Sequence, residues 1–208
     1  MTKTLILYYS RDGHTRRMAN QIARGVSAID GCDALVRTVP DLTTVNSEAS
    51  AGNYAPAIEP AAEDSLYVTR DELAAADALI VGSPTRFGNM AAPLKHFFDG
   101  TSDLWISGAM CNKPAAVFTS SSSMHGGQES TLFTMMLPLM HHGMLIVGIP
   151  YTEAALEQTK SGGTPYGASH VSGHDNPAMS SDEKSLCLSL GKRVATIAVK
   201  LNLSLIHI

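Results

Sequence analysis

The chain has 208 residues, 44% of them hydrophobic and only 16% Asp, Glu, Lys or Arg, with a formal net charge of -4, where an ordinary domain carries about 25% charged residues. This length suits one compact domain with a substantial apolar core. Runs such as Leu79 to Val81 and Met144 to Val147 fall far short of the ~20 residues of a membrane span, the N-terminus lacks a signal-peptide pattern, and fifteen basic against nineteen acidic residues form no footprint for nucleic acid.

Thr4 to Tyr9 is a short β-branched and aliphatic run before the turn signal Ser10-Arg11-Asp12-Gly13, and reads as a buried strand. From Thr15 to Ala28, Met18, Ile22 and Val26 recur at spacing four, which is one face of a helix. Further strands are expected at Ala34 to Val39, Ala78 to Gly82, Ala115 to Ser120 and Met144 to Val147. Helices are expected around Met90 to Phe98, Thr131 to His142 and Ser181 to Leu201. Near-continuous apolar strands alternating with helices imply an α/β fold, a parallel sheet covered on both faces. Two stretches break the rhythm, Asp41 to Thr69 and the Gly- and Pro-rich Tyr151 to Ser180, and loops this long are functional or interfacial. Residues 1 to 202 read as one domain. Leu203 to Ile208 follow the natural end of the last helix and are set aside as an artefactual tail.

Three cysteines, Cys32, Cys111 and Cys187, share no C-x-x-C spacing, so no disulfide framework or thiolate zinc site is expected and a reducing cytoplasm fits. His141-His142 are adjacent, and His170 and His174 lack acid or thiol partners at ligand spacing, so no metal site is expected.

In an open parallel sheet, ligands bind beyond the carboxyl ends of the strands. Three loops lie there. Ser10 to Thr15 offers hydroxyls, a free Gly13 and a helix N-terminus, the equipment of a phosphate cradle; helix capping is the alternative use of its Ser and Thr. It lacks both the dinucleotide fingerprint and the Walker lysine. Ser83 to Met90 offers an apolar surface in Phe87 and a cation in Arg86, unless Phe87 is core and Arg86 merely solvated. Thr119 to Glu129 is dominated by hydroxyls, amides and glycines; a flexible linker is the alternative. Together they suit a flavin mononucleotide: a phosphate cradle, a polar edge and an apolar wall.

The segments LYYSRDGHT (Leu7 to Thr15), GSPTRFGNM (Gly82 to Met90), DLWISGA (Asp103 to Ala109), HGGQES (His125 to Ser130), HHGM (His141 to Met144), GGTPYGA (Gly162 to Ala168) and AVKLN (Ala198 to Asn202) carry a resemblance. The chain resembles the flavodoxin-like NAD(P)H:quinone oxidoreductases of the WrbA family, over Lys3 to Asn202. The resemblance implies a doubly wound five-stranded sheet of order 2-1-3-4-5, bound FMN, NADH or NADPH as co-substrate, and two-electron reduction of quinones to hydroquinones by hydride transfer through the flavin. It implies that Ser10, Arg11, Asp12, Gly13, His14 and Thr15 hold the FMN phosphate. Pro84, Thr85, Arg86, Phe87 and Gly88 would meet the isoalloxazine. Ser120, Ser121, Ser122, Ser123, Met124, His125, Gly126 and Gly127 would meet its pyrimidine edge and the ribityl chain. His141, from a neighbouring helix or subunit, would close the pocket, and Trp105 would form the nicotinamide and quinone site, with a place in the core as its alternative. Asp12 departs from the family pattern, standing where some members carry a Tyr on the nicotinamide side. Its charge would repel a nucleotide phosphate there.

No side-chain nucleophile is required; the flavin supplies the hydride chemistry. The family also implies a homotetramer, and the Met-rich, nearly uncharged helix from Thr131 is apolar on more faces than a monomer's surface helix should be, although a core helix would be so too. The rival function is a flavodoxin-type electron carrier without its own substrate, against which -4 over 208 residues is a weak docking field.

Overall fold

A computed structural model describes residues 1–42, 67–173, 175 and 177–205. Most of the Asp41 to Thr69 stretch, His174 and the end of the apolar tail lie outside the described residues.

The elements run β1 (Thr2–Tyr8), α1 (His14–Ser27), β2 (Cys32–Thr38), α2 (Arg70–Ala75), β3 (Ala78–Pro84), α3 (Ala92–Asp99), α4 (Ser102–Ile106), β4 (Pro114–Ser121), α5 (Gln128–His141), β5 (Leu145–Ile146), α6 (Ala155–Gln158), β6 (Ala168–Val171) and α7 (Ser181–Leu205). All strands pair in parallel, in the order β2-β1-β3-β4-β5, as expected. The fifth position differs from its expected form. β5 pairs only with the start of β4, Pro114↔Leu145 and Ala115↔Ile146, and β6 then takes over beside its end, from Phe118↔Ala168 to Ser121↔Val171. One strand position is thus filled by two pieces, with residues 147–167 looping out between them. The Gly- and Pro-rich stretch after Tyr151 is therefore part of the sheet's construction, containing α6 and β6, rather than one long loop.

Strand alternation builds two cores. Ile6, Ile80 and Phe118 face α1 and α7, meeting Met18, Ile22, Leu186 and Leu190. Leu5, Leu7, Leu79, Val81 and Val117 face α3 and α5, meeting Leu94, Leu132, Met135 and Leu139. α1 and α7 cross closely because each supplies a glycine at the contact: a Cβ on Gly25 would lie 2.3 Å from the Leu188 carbonyl oxygen, and one on Gly191 would lie 2.2 Å from that of Ile22. This packing fixes the N-terminal ends of both helices at the carboxyl edge of the sheet. α7 extends to Leu205, beyond the expected end at Leu201. No helix among the described residues is long and apolar enough to cross a membrane.

Candidate functional site

The end of β1 leads through Ser10 to Gly13 into α1. Gly13 occupies the N-cap in the left-handed region, φ 80°, and no side chain caps the helix. The capping alternative for Ser10 and Thr15 is therefore not what the chain adopts. Thr15 Oγ1 instead lies 3.1 Å from Ser120 Oγ, across to the end of β4. Ser10 Oγ is buried and has no hydrogen-bond partner among the described residues. The first turn of α1 contains no acid, so its free N–H groups and the positive end of the helix dipole are left for an anion.

The second loop is a two-residue hairpin. Arg86 and Asn89 exchange backbone hydrogen bonds at 2.8 and 3.0 Å, with Phe87 (φ 53°) and Gly88 (φ 75°) between them, both left-handed as a type I′ turn requires. Phe87 is fully exposed. It is neither core nor packed, which is costly for an aromatic ring held in a conformation that favours glycine. The Thr85 N–H donates to the Ser120 carbonyl at 2.8 Å, and the Thr131 hydroxyl donates to Thr85 Oγ1 at 2.8 Å, tying this loop to β4 and α5. A Cβ on Gly127 would lie 3.0 Å from Gly88 Cα, so the second and third loops touch glycine to glycine.

In the third loop, Ser121 Oγ donates to the Ser123 carbonyl (2.7 Å) and accepts from Gln128 Nε2 (2.8 Å). Gln128 Oε1 accepts from Ser169 (2.6 Å), whose hydroxyl accepts from the Gly163 N–H (2.7 Å). The loop is thereby anchored to the GGTPYGA segment and is no free linker. Ser122, Ser123, Met124 and His125 are exposed beyond it.

These loops enclose a crevice of about 110 Å³ lined by Ser10, Arg11, Asp12, His14, Thr15, Pro84, Thr85, Arg86, Ser120, Ser121, Ser122 and Ser172. Ser172 was not among the expected residues. It donates from backbone and side chain to the Ser121 carbonyl, at 2.8 and 3.1 Å, and its only sequence signal was a serine following a strand whose second half was hidden. At the crevice mouth Tyr9 donates to Asp41 Oδ2 (3.1 Å), and burial together with that carboxylate pushes its hydroxyl up to about 12. Burial and the charge of Arg17 lower His14.

Of the expected residues, Gly13, Phe87, Gly88 and Ser123 to Gly127 belong to these loops without lining the crevice, and two more, His141 and Trp105, lie away from it in their own chain. α5 begins beside Gly127 and runs the length of the sheet, so His141 at its far end is about 20 Å away at 1.5 Å per residue. Trp105 lies on α4, whose neighbour Thr101 hydrogen-bonds His142 at 2.9 Å, so it shares that opposite edge. Trp105 is 56% exposed, which removes its place in the core.

A doubly wound sheet of this order, with an uncapped first helix and two further loops at its carboxyl edge, defines a flavodoxin-like protein. The chain belongs to the NADPH-dependent FMN reductase family, which matches it over residues 2–156. Among curated relatives, the NAD(P)H dehydrogenase (quinone) of Syntrophobacter fumaroxidans is 44% identical over 203 residues, 96% of this chain and 98% of that one. That of Geobacter sulfurreducens is also 44% identical, over 95% and 98%. Among solved structures, a WrbA-like flavodoxin from Agrobacterium tumefaciens superposes with a TM-score of 0.65 at 26% identity, covering 96% of this chain and 99% of its own. The WrbA resemblance is borne out.

Proposed function

We propose that the protein is an FMN-dependent NAD(P)H:quinone oxidoreductase that reduces quinones by two electrons to hydroquinones. The observation that carries this reading is Ser10 Oγ, buried and unpartnered at the mouth of an uncapped helix N-terminus. A phosphate oxygen meets that unmet demand and accepts from the free N–H groups of α1. When bound, FMN supplies the redox chemistry, taking two electrons from NAD(P)H and delivering them to the quinone.

The chain's own residues would hold and bias the group. Ser10, His14 and Thr15 would surround the phosphate and Ser120 would line the ribityl path, while the Ser121 hydroxyl, bonded to Ser123 and Gln128, braces the loop. Thr85, Arg86 and Phe87 would flank the ring, with the backbone of Ser122 to Gly127 along its polar edge. The Arg86 guanidinium favours negative charge developing near the ring or on a quinone oxygen. Asp12, exposed beside the crevice, keeps the phosphates of the dinucleotide away from its side.

The reading includes a homotetramer in which Trp105 and His141 of one subunit complete the crevice of another. Its support is the exposure of Trp105, Ile106, Phe133, Leu137 and Met140, an unusual amount of apolar surface for a lone subunit. A cytoplasmic setting fits the use of NAD(P)H and the three free cysteines. The test is the absorbance spectrum of the purified protein followed by a benzoquinone assay. Flavin bands and NAD(P)H-dependent turnover are expected. Bound flavin without NAD(P)H turnover would favour the electron carrier, and quinone reduction unchanged in FMN-free protein would overturn the reading.

A further inference from the structure

A second cavity, of about 440 Å³, opens between α7 and the loop joining β5 to α6, and shares no residue with the crevice described above. α7 starts beside the end of β6, where Glu183 accepts from the Val171 N–H at 3.0 Å. The cavity's wall on this helix runs from Ser189 to Lys200, two residues before Asn202, whose amide donates to Thr2 at the start of β1 (3.1 Å). It therefore extends along the flank of the sheet towards the amino edge, away from the crevice.

Three cations, Lys192, Arg193 and Lys200, line this cavity against a single acid, Glu153 of the opposite wall. None of the four belongs to an ion pair among the described residues. A surface helix ordinarily balances such charges with acids three or four residues away, but no acid follows Glu183 in α7. Glu183 itself is buried and committed elsewhere: it lies 2.9 Å from His170 Nδ1 and accepts from the N–H groups of Gly162, Val171 and Ser180. Burial works to raise its carboxyl, but His170 and these backbone donors outweigh it and hold it at about 2. Nor do the cations complement the negative end of the helix dipole, which acts within the last turn. α7 continues to Leu205 and has no base in that turn.

The remaining lining is also rich in donors. Ser189 and Thr152 bring hydroxyls with no hydrogen-bond partner among the described residues, whereas the Thr196 hydroxyl donates to the Lys192 carbonyl at 2.7 Å. Arg193, Thr196 and Lys200 share one face of the helix at spacings of three and four. Arg193 and Lys200 are about 10 Å apart along the axis, further than one phosphate group spans. Between them lies Ile197, with Pro150 contributing a second apolar surface from the loop.

We propose that this cavity is a binding site for a small organic phosphate of the nucleotide class, a ligand with two or more negative charges and an apolar body. The Arg193 fork and the Lys192 and Lys200 ammonium groups take the phosphate oxygens, the free hydroxyls add donors, and the apolar body lies over Ile197 and Pro150. The site is independent of the flavin reading, because the two cavities have no residue in common.

The test is calorimetric titration of the purified protein with ADP, pyrophosphate and adenosine at low salt. ADP should bind, and the double variant Arg193→Gln/Lys200→Gln should weaken it tenfold or more by removing two charge-assisted contacts. Both side chains are exposed, so the variant should fold normally. Lys3→Gln/Lys184→Gln removes the same charge outside the cavity and should bind ADP like the wild type. Glu153→Gln removes the only acid from the lining and should tighten ADP several-fold, an effect of opposite sign. Pyrophosphate should show the same dependence on Arg193 and Lys200 at lower affinity, and adenosine none. Equal ADP affinity in the wild type and Arg193→Gln/Lys200→Gln, an equal loss in both double variants, or adenosine binding that depends on Arg193 and Lys200 overturns the proposal. Binding of the wild type to phosphatidylglycerol vesicles without ADP binding overturns it in favour of a lipid surface. Each of these outcomes leaves the flavin reading as it stands.

Discussion

Thr15 Oγ1 and Ser120 Oγ stand 3.1 Å apart in a buried contact between the first turn of α1 and the end of β4. Two loops far apart in sequence are joined by this pair of hydroxyls, beside an α1 N-terminus that Gly13, having no side chain, leaves uncapped. Thr15→Val keeps the shape and strands Ser120 Oγ. It should lower unfolding free energy by about 1 to 2 kcal/mol and weaken FMN binding several-fold, read by urea denaturation and flavin fluorescence. A stable variant with normal affinity would mean that the contact does not shape the cradle.

Much of this architecture was legible from the chain. The alternation of apolar strands and amphipathic helices reports burial on both faces, so the sheet and its helices follow from β1, α1 and β3 alone. What stayed hidden depended on contacts distant in sequence. At the split fifth position, the strand expected at Met144 to Val147 contains β5, which is only two residues long, whereas β6, four residues inside the Gly- and Pro-rich stretch, was not expected. Ser172 and His170 gain their positions only through that split. Ser10 and Thr15 carried the same sequence signal whether as caps or as cradle, and only the partner Ser120 separates the two. His141 matched its motif but sits at the wrong end of α5 for its own crevice, a distance that no local pattern encodes.

Ser10 gives a prediction with opposite signs in two assays. Its buried hydroxyl has no partner among the described residues, so Ser10→Ala removes an unmet polar demand. The FMN-free variant should be more stable by about 1 kcal/mol, while its FMN affinity drops by roughly tenfold, the worth of one charge-assisted hydrogen bond. Thermal denaturation with and without FMN reads both; a loss of stability in the FMN-free form would make Ser10 a structural residue.

Glu183 sets the acid limit of the fold. Its folded value of about 2 lies below the ordinary 4.5, so its contribution is fully present above about pH 4.5 and disappears as pH falls through 2. The difference corresponds to about 3 kcal/mol. Glu183→Gln should be less stable at pH 7 and should lack this part of the acid limb between pH 4.5 and 2. Urea midpoints measured across that window provide the comparison, and parallel limbs in the two proteins would contradict it.

Phe87 is held at φ 53° with its ring fully in solvent. Nothing among the described residues offsets that strain, which costs a non-glycine residue about 1 kcal/mol or more. Phe87→Gly should therefore leave stability unchanged or raise it by about 1 kcal/mol, while KM for quinone increases. A destabilised variant with normal quinone kinetics would remove Phe87 from the site.

The outer face of α5 tests the assembly. Phe133, Leu137 and Met140 lie one above another at helical spacing and are about half exposed, while Leu132, Met135, Met136 and Leu139 on the inner face are buried. Phe133 already leans on Tyr166, with ring centroids 4.6 Å apart, extending the apolar surface onto the loop between β5 and β6. Leu137 is central to this face, so Leu137→Glu places a charge in any contact made there without disturbing the subunit's own core. Sedimentation should show a tetramer for wild type and smaller species for the variant, with far-UV circular dichroism unchanged. FMN binding should survive, because the crevice lies within one chain. Quinone turnover should fall by tenfold or more, because in the proposed assembly Trp105 and His141 complete the crevice of a neighbouring subunit. A dissociated variant with full turnover would detach both residues from catalysis, and a wild-type monomer at micromolar concentration would remove the assembly itself.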